Sequence, residues 1–316
     1  MSEEGQGRLE PDLWLRCLEE DYLRSFIPEG GATVKLAVVP KDSYSWVRKA
    51  LLEKLNQYSF HIFDLTEECL KLHSVEQLWF ALAQRVDWET FAKDLRFNIL
   101  QKIGYPPRLD LQDCTLEQLA EFYQIEAREI KLEFQREIKR GIFLDYSLAL
   151  DFRKAIVRLV YEPLQSPGTL EGLCSAIQEW LKGTLSSISR VREAAIFRKI
   201  DRTNAREILL SFLRLFTRRS GLVAVLVSLL HYYERTPSGR PNFTSRQILE
   251  LYETLREFID AESELEKTVL IFLAPPEFIE SERLSYHRYR ALQTRIENEV
   301  SSLQKPNPCT AMVQLL

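Results

Sequence analysis

The sequence predicts an α/β protein: a parallel sheet covered by helices, with a large helical insertion between the second and third strands. Two observations carry this expectation. Short, nearly continuous apolar runs such as VKLAVV and TVLIFLA alternate with segments of helical period, which is how strands buried on both faces of a parallel sheet read. Between the second and third of these runs, from about residue 66 to 219, almost everything has helical period, so helix outweighs strand by residue count.

Taken in order, Leu13, Leu15, Leu18, Tyr22, Leu23 and Phe26 form the apolar stripe of a first helix that stops at the turn signal PEGG, residues 28–31. Strand-like runs follow at Thr33–Val39 and Tyr58–Leu65, separated by a helix from about Tyr44 to Asn56, a βαβ-type opening. Within the helical stretch, breaks are expected near Gly104 to Pro107, Pro163 to Gly168 and Ile200 to Asn204. GLVAVLVSLL (221–230) is too short and too β-branched for a comfortable helix and reads as a strand. Residues 244–260 are helical with Thr244 as N-cap. KTVLIFLAP (267–275) is another buried strand, Ser285 to Leu303 is helical, and PCTAMVQL (308–315) is a last strand. The expected division is 1–65 as the first part of the sheet domain, 66–205 as the insertion and 206–316 as the second part.

Bulk composition narrows the function classes. The chain has 316 residues, 45% hydrophobic and 28% charged, with a net charge of −4. That is enough apolar material for a core and no global pull toward polyanions. Its five cysteines, at 17, 69, 114, 174 and 309, are odd in number and form no CxxC pair. The start MSEEGQGRLEPD is too acidic for a secretory signal, and no apolar stretch approaches the ~18 residues of a membrane span. A reduced, cytoplasmic protein without structural disulfides or membrane association is expected.

The stretch VKLAVVPKDSYSWVRKALLEKL (34–55) has the outline of a strand, a polar loop and a helix, the plan of a phosphate-binding loop. Together with YLRSFIPEGGATVKLAVV, NAREILLSFLRLFTRRSGLVAVL, LYETLREFID and LIFLAPPEF…YRALQTRIEN, spread over about residues 12 to 316, it resembles the P-loop ATP-binding proteins of BREX-type phage-defence systems. These are similar in plan to AAA-like ATPases. The resemblance implies a P-loop NTPase-like sheet, a phosphate loop after the first strand and an acidic pair ending a later one.

The chemistry of such a site is missing from both motifs. A working loop needs two glycines for close backbone approach, a lysine for the β/γ-phosphates and a hydroxyl for magnesium. In register with VKLAVV those four positions are Val39, Tyr44, Ser45 and Trp46, and Lys41 falls four residues before the lysine place. Val39 and Tyr44 carry Cβ atoms where glycine is needed, Ser45 lacks an ammonium, and Trp46 puts an indole where the magnesium hydroxyl belongs. The family strand matching GLVAVLVS ends in Asp-Glu, the metal ligand and the water-orienting base; here those positions are Val227 and Ser228. Val39, Tyr44, Trp46 and Val227 are expected to pack or plug the vacant site, and no ATP or magnesium is expected as cofactor. In the family a further helical region follows a stretch like NPCTAMVQLL and helps cover the nucleotide. The sequence here ends at Leu316, so an apolar strand edge open to a partner is expected.

Other features of the sequence offer further candidate contacts. Residues 190–219 hold nine Arg/Lys against three acids, a local +6. Arg190, Arg192, Arg198, Lys199, Arg202 and Arg206 are therefore candidate contacts for nucleic-acid phosphates, or partners of acidic helices, and Arg218 and Arg219 candidate subunit contacts. TLEQLAEFYQIEAREIKLEF (115–134) has helix-turn-helix spacing, with Gln124 in the usual glycine place. Its second helix carries Glu126, Glu129 and Glu133, which repel phosphates, so an ordinary helical hairpin is favoured. His61, His73, His231 and His287 have no metal-ligand spacing. Arg295 resembles a family arginine that senses phosphate, or stands in a structural ion pair.

The resulting expectation is a catalytically inactive ATPase-like protein serving as a structural or regulatory subunit of an assembly, with an active ATPase homologue as the partner class and phage defence as the process that the resemblance implies. The alternatives are a nucleic-acid-binding subunit using 190–219 and an ATPase completed in trans, with Lys41 or a partner's residues.

Overall fold

The computed structural model describes residues 8–66, 71–106, 115–165, 171–300 and 307–316, without the side chains of 165, 171 and 297–300. The chain divides into two compact units, one made of residues 1–78 with 213–316 and the other of 79–212. The first holds the sheet and the second is helical.

All strand pairs in the sheet are parallel. Its strands are β1 (Arg8–Leu9), β2 (Ala32–Val38), β3 (His61–Leu65), β4 (Val223–Ser228), β5 (Thr268–Ala274) and β6 (Met312–Leu315), in the spatial order β1-β6-β2-β5-β4-β3. Every residue of β2, β4 and β5 is buried, which is why these three read as nearly continuous apolar runs. Edge strand β3 is half exposed and begins at His61, because Ser59 at φ 58° turns the chain just before it.

The two faces of the sheet are covered by different parts of the chain. On one face α1 (Pro11–Cys17), a π-helix (Leu18–Phe26) and α2 (Lys41–Gln57) supply Trp14, Leu15, Leu18, Leu23, Val47, Leu51 and Leu55, packed on Ala37, Leu226, Ile271 and Val313. On the other lie α9 (Ala205–Ser220), α11 (Ser245–Asp260) and α13 (Arg290–Val300). There Phe216 meets Phe63 at 5.6 Å, and Leu255, Ile259 and Leu292 meet Val34, Leu36 and Phe272. The handedness rule accounts for this split. Steps β1→β2 and β2→β3 run one way across the sheet, whereas β3→β4, β4→β5 and β5→β6 run back. Right-handed crossovers must then use opposite faces.

Three expectations change here. Helix α2 starts at Lys41, so PKDSYSW is not a loop: only Val39 and Pro40 connect β2 to it. Strand β6 is not an open edge, because Arg8–Leu9 pairs along its outer side. A strand of two residues carries too little pattern to read from sequence. The helix expected over Ser285–Leu303 is a 3₁₀ turn at Tyr286–Arg288 followed by α13. Cys17, Cys174 and Cys309 are free thiols; the expectations for Cys69 and Cys114 fall outside the described residues.

The helical unit contains α4 (Trp88–Lys102), α5 (Leu116–Tyr123), α6 (Ala127–Ile138), α7 (Leu150–Gln165) and α8 (Glu171–Leu181), with most of α3 (Val75–Arg85) and the start of α9. Trp79, Trp88, Phe91 and Phe212 pack edge-on or tilted, with centroids 5.5–6.2 Å apart. Gln124, at φ 55°, closes α5 in the left-handed conformation, and α5 and α6 pack as a helical hairpin. Helix α7 ends at Gln165, within the break expected at Pro163 to Gly168, with Pro163 in its last turn.

Candidate functional site

The carboxyl ends of β2, β5 and β4 lie side by side. After β2 the chain moves to one face through α2, and after β5 it moves to the other through α13. That makes this edge the switch point where open α/β sheets bind ligands. At ~4.8 Å per strand, the ends of β2 and β4 stand about 10 Å apart across β5, so the two sequence motifs do meet in space.

What meets there is α2 itself. Val39 is fully buried, its N–H bonded to the Ala274 carbonyl at 2.8 Å, and Pro40 caps α2 with extended backbone. Lys41 and Asp42 therefore already belong to the helix, and no loop is left to curl around a phosphate. Tyr44, on the inward side of the first turn, is half-buried in the core of its face and lies beside Ser228 at the end of β4. Burial pushes its phenol above the usual value, more than the neighbouring Ser228 hydroxyl and Arg48 draw it down. The two hydroxyls do not meet in hydrogen-bonding geometry, and Tyr44 Oη is buried with no hydrogen-bond partner among the described residues. Ser228 Oγ accepts instead from the Leu230 N–H at 3.3 Å.

The remaining motif positions separate. Val227 is buried on the opposite face of the sheet from Ser228, opposite Phe272 in the β4–β5 register. Ser45 is exposed. Trp46 was expected to fill the magnesium corner, but it is 46% exposed and stands outside the crevice. A helix that starts at Lys41 puts Tyr44 and Val47 inward and leaves Trp46 between them facing out. Lys41 pairs with Glu277, from the short α12 (Glu277–Glu280), at 3.3 Å, and Arg8 pairs with Glu280 at 2.9 Å. Beneath these pairs an indentation lined by Val38, Pro40, Pro276, Ile279 and Gln314 encloses about 20 Å³, room for about one water.

Beside the crevice stands a group that sequence reading did not single out. Arg48 of α2 donates to Asp64 Oδ2 at 2.6 Å and to Thr66 Oγ1, while Thr66 donates back to Asp64 Oδ1 at 2.6 Å. Burial tends to raise the Asp64 carboxyl, but the Thr66 and Arg48 hydrogen bonds outweigh it and hold it below the usual range. The signal was Arg48 one helical turn after Tyr44, with Asp64 as the one acid in the following strand run.

The basic candidates do not form one helical face. Residues 188–194 make a 3₁₀ helix, irregular chain follows, and α9 begins at Ala205. Arg190 pairs with Glu179, Arg198 Nε lies 3.0 Å from Asp151, and Lys199 donates to the Ser186 carbonyl at 3.4 Å. Arg192 and Arg202 are exposed, and Arg206 is half-buried. Arg295 Nε lies 2.6 Å from Asp260, which also binds Arg256 at 2.5 Å, so it joins an ion-pair network between α13 and α11. Among the described residues no three His, Cys, Asp or Glu side chains converge to hold a metal, and no helix is long and apolar enough to cross a membrane.

Comparison of the chain with family models, with curated proteins and with solved structures finds no match.

Proposed function

We propose that this chain is a P-loop NTPase-like scaffold without nucleotide chemistry, acting as a structural or regulatory binding subunit of a protein assembly. The observation that carries the reading is the two-residue junction Val39–Pro40, which brings α2 directly onto the end of β2 and lays Tyr44 beside Ser228. A phosphate cradle needs a run of free backbone N–H groups in a loop, a cation and a metal ligand. Here the loop residues are helical, Lys41 is paired to Glu277, and an aromatic ring lies between the two former motifs. The parallel sheet, with the two motif strands β2 and β4 flanking β5, supports descent from an ATPase-like plan.

A scaffold of this kind keeps the outer surfaces by which related subunits dock, since those depend on the fold and not on the phosphate site. Trp46 suits such a role: exposed tryptophans are over-represented among residues that anchor interfaces. An active ATPase of the same plan is the partner class this reading favours, with phage defence as the process that the resemblance implies.

Titration calorimetry of the full chain with ATP and magnesium tests the reading. No heat beyond dilution is expected up to millimolar nucleotide. Binding in the micromolar range overturns it in favour of an ATPase completed by Lys41 or by residues of a partner.

A further inference from the structure

In the helical unit, two exposed aromatic rings stand around the first turns of α7, beside a buried arginine and a partly exposed lysine. Tyr146 is 81% exposed, with the Arg153 guanidinium 5.0 Å from its ring centroid. Phe197 is 68% exposed, with Lys154 Nζ 5.9 Å from its centroid. Arg153 and Lys154 are consecutive in α7, so the two rings flank one helix, each with a cation beside it. Arg153 is anchored on the Phe143 carbonyl at 2.7 Å and Lys154 on the Ala195 carbonyl at 2.7 Å, which fixes both cations by the backbone.

The surrounding charge has a definite sign. Residues 140–158 and 188–206 carry ten Arg/Lys against four Asp/Glu, and Glu162 and Glu179 pair with Arg158 and Arg190, which leaves a local +4 in a chain of net charge −4. Asp151 is engaged by Lys154 and Arg198, while Arg192 and Arg202 stand exposed without an ion pair among the described residues. A surface that exposes whole aromatic rings, with exposed arginines five residues to either side of Phe197 in the chain, fits a ligand that alternates planar groups with negative charge.

We propose that this surface binds single-stranded nucleic acid, with Tyr146 and Phe197 stacking on bases and Arg192 and Arg202 contacting phosphates. Stacking on such rings is tolerant of sequence, and the phosphate contacts make affinity depend on salt. A duplex keeps its bases stacked on one another and leaves the rings unused. An acidic peptide satisfies the cations but carries no regular series of planar groups. The binding surface is therefore not the 190–219 helix face that charge counting alone suggests. It also goes beyond the scaffold reading, since it does not involve the crevice at the sheet edge.

The test is fluorescence anisotropy of the full chain with a labelled oligo-dT and a matched duplex at low salt, repeated over a salt series. Oligo-dT is expected to bind more tightly than duplex. Tyr146→Ala and Phe197→Ala are each expected to weaken it by about fivefold or more. The pair Arg192→Ala/Arg202→Ala is expected to flatten the log–log salt slope by about 1.4. Both aromatic side chains are mostly solvated, so these variants should keep the parent far-UV circular dichroism and urea midpoint. The proposal is overturned by absent binding at low salt, by equal affinity for duplex, by binding indifferent to both rings, or by equal competition from poly-glutamate.

Discussion

The Arg48 guanidinium lies 2.6 Å from the Asp64 carboxylate and ties the second turn of α2 to the carboxyl end of β3. Both side chains are largely buried, at 27% and 22% exposure, so the pair is worth more than a surface bridge.

Its pH dependence follows from the lowered Asp64 pKa. A carboxyl whose folded pKa lies below its unfolded value of about 3.9 contributes stability that is fully present above that value. The contribution is lost as pH falls through the folded pKa. Asp64→Asn should cost about 1–2 kcal/mol at pH 7. The difference from the parent should shrink below about pH 4, as read by urea unfolding across pH.

Tyr44 combines a useful ring with a hydroxyl that gains nothing. Its Oη is buried without a hydrogen-bond partner among the described residues, so Tyr44→Phe should leave stability within about 0.5 kcal/mol of the parent or raise it. Tyr44→Ala removes the ring from the core and should cost about 2–3 kcal/mol. Urea midpoints separate the two variants.

Lys35 is 4% exposed in the middle of β2, yet it is well solvated by protein. Its Nζ donates to Tyr22 Oη at 2.8 Å and to the Cys309 and Thr310 carbonyls at 2.5 and 3.3 Å, and it lies 4.3 Å from the Tyr22 ring centroid. Lys35→Met keeps the volume and removes the cost of burying an ammonium, but it takes one donor from Tyr22 Oη and from the Thr310 carbonyl, while the Cys309 carbonyl keeps the Tyr22 hydroxyl at 2.9 Å. A net loss of about 1–3 kcal/mol is expected, with amide exchange rising first at Met312–Leu315.

Thr244 closes a capping box: its Oγ1 accepts from the Gln247 N–H at 3.3 Å, and the Gln247 side chain accepts from the Thr244 N–H at 2.9 Å. Thr244→Ala should destabilise by about 1 kcal/mol, with little change for Thr244→Asn. Thermal and urea unfolding measure both.

Trp46 is predicted to behave as a surface residue in the isolated chain. Trp46→Ala should shift stability by less than about 0.5 kcal/mol. A cost above about 2 kcal/mol would place the indole in the core and remove it from the docking role proposed for it.

Legibility in the sequence tracked burial. Strands β2, β4 and β5 were readable because VKLAVV, VAVLVS and TVLIFLA are apolar at nearly every step, as strands covered on both faces tend to be. The Thr244 cap was readable because capping is set by four adjacent residues. The start of α2 was misread, since PKDSYSW is polar and carries no helix signal beyond Pro40 itself at the cap. The pairing of β1 with β6, from opposite ends of the chain, leaves no local mark at all.

The sequence by itself determined the layered α/β class, the five longer strands and the absence of the four phosphate-loop residues and the acidic pair, because each of these is written in neighbouring residues. Only the tertiary structure decided that the junction is two residues long, that Tyr44 lies beside Ser228 while Trp46 faces out, and that Tyr146 and Phe197 flank one helix, α7. Those facts depend on where a helix begins and on which distant segments it packs against. Such choices are settled by burying the most apolar surface over the whole unit, not by any local preference.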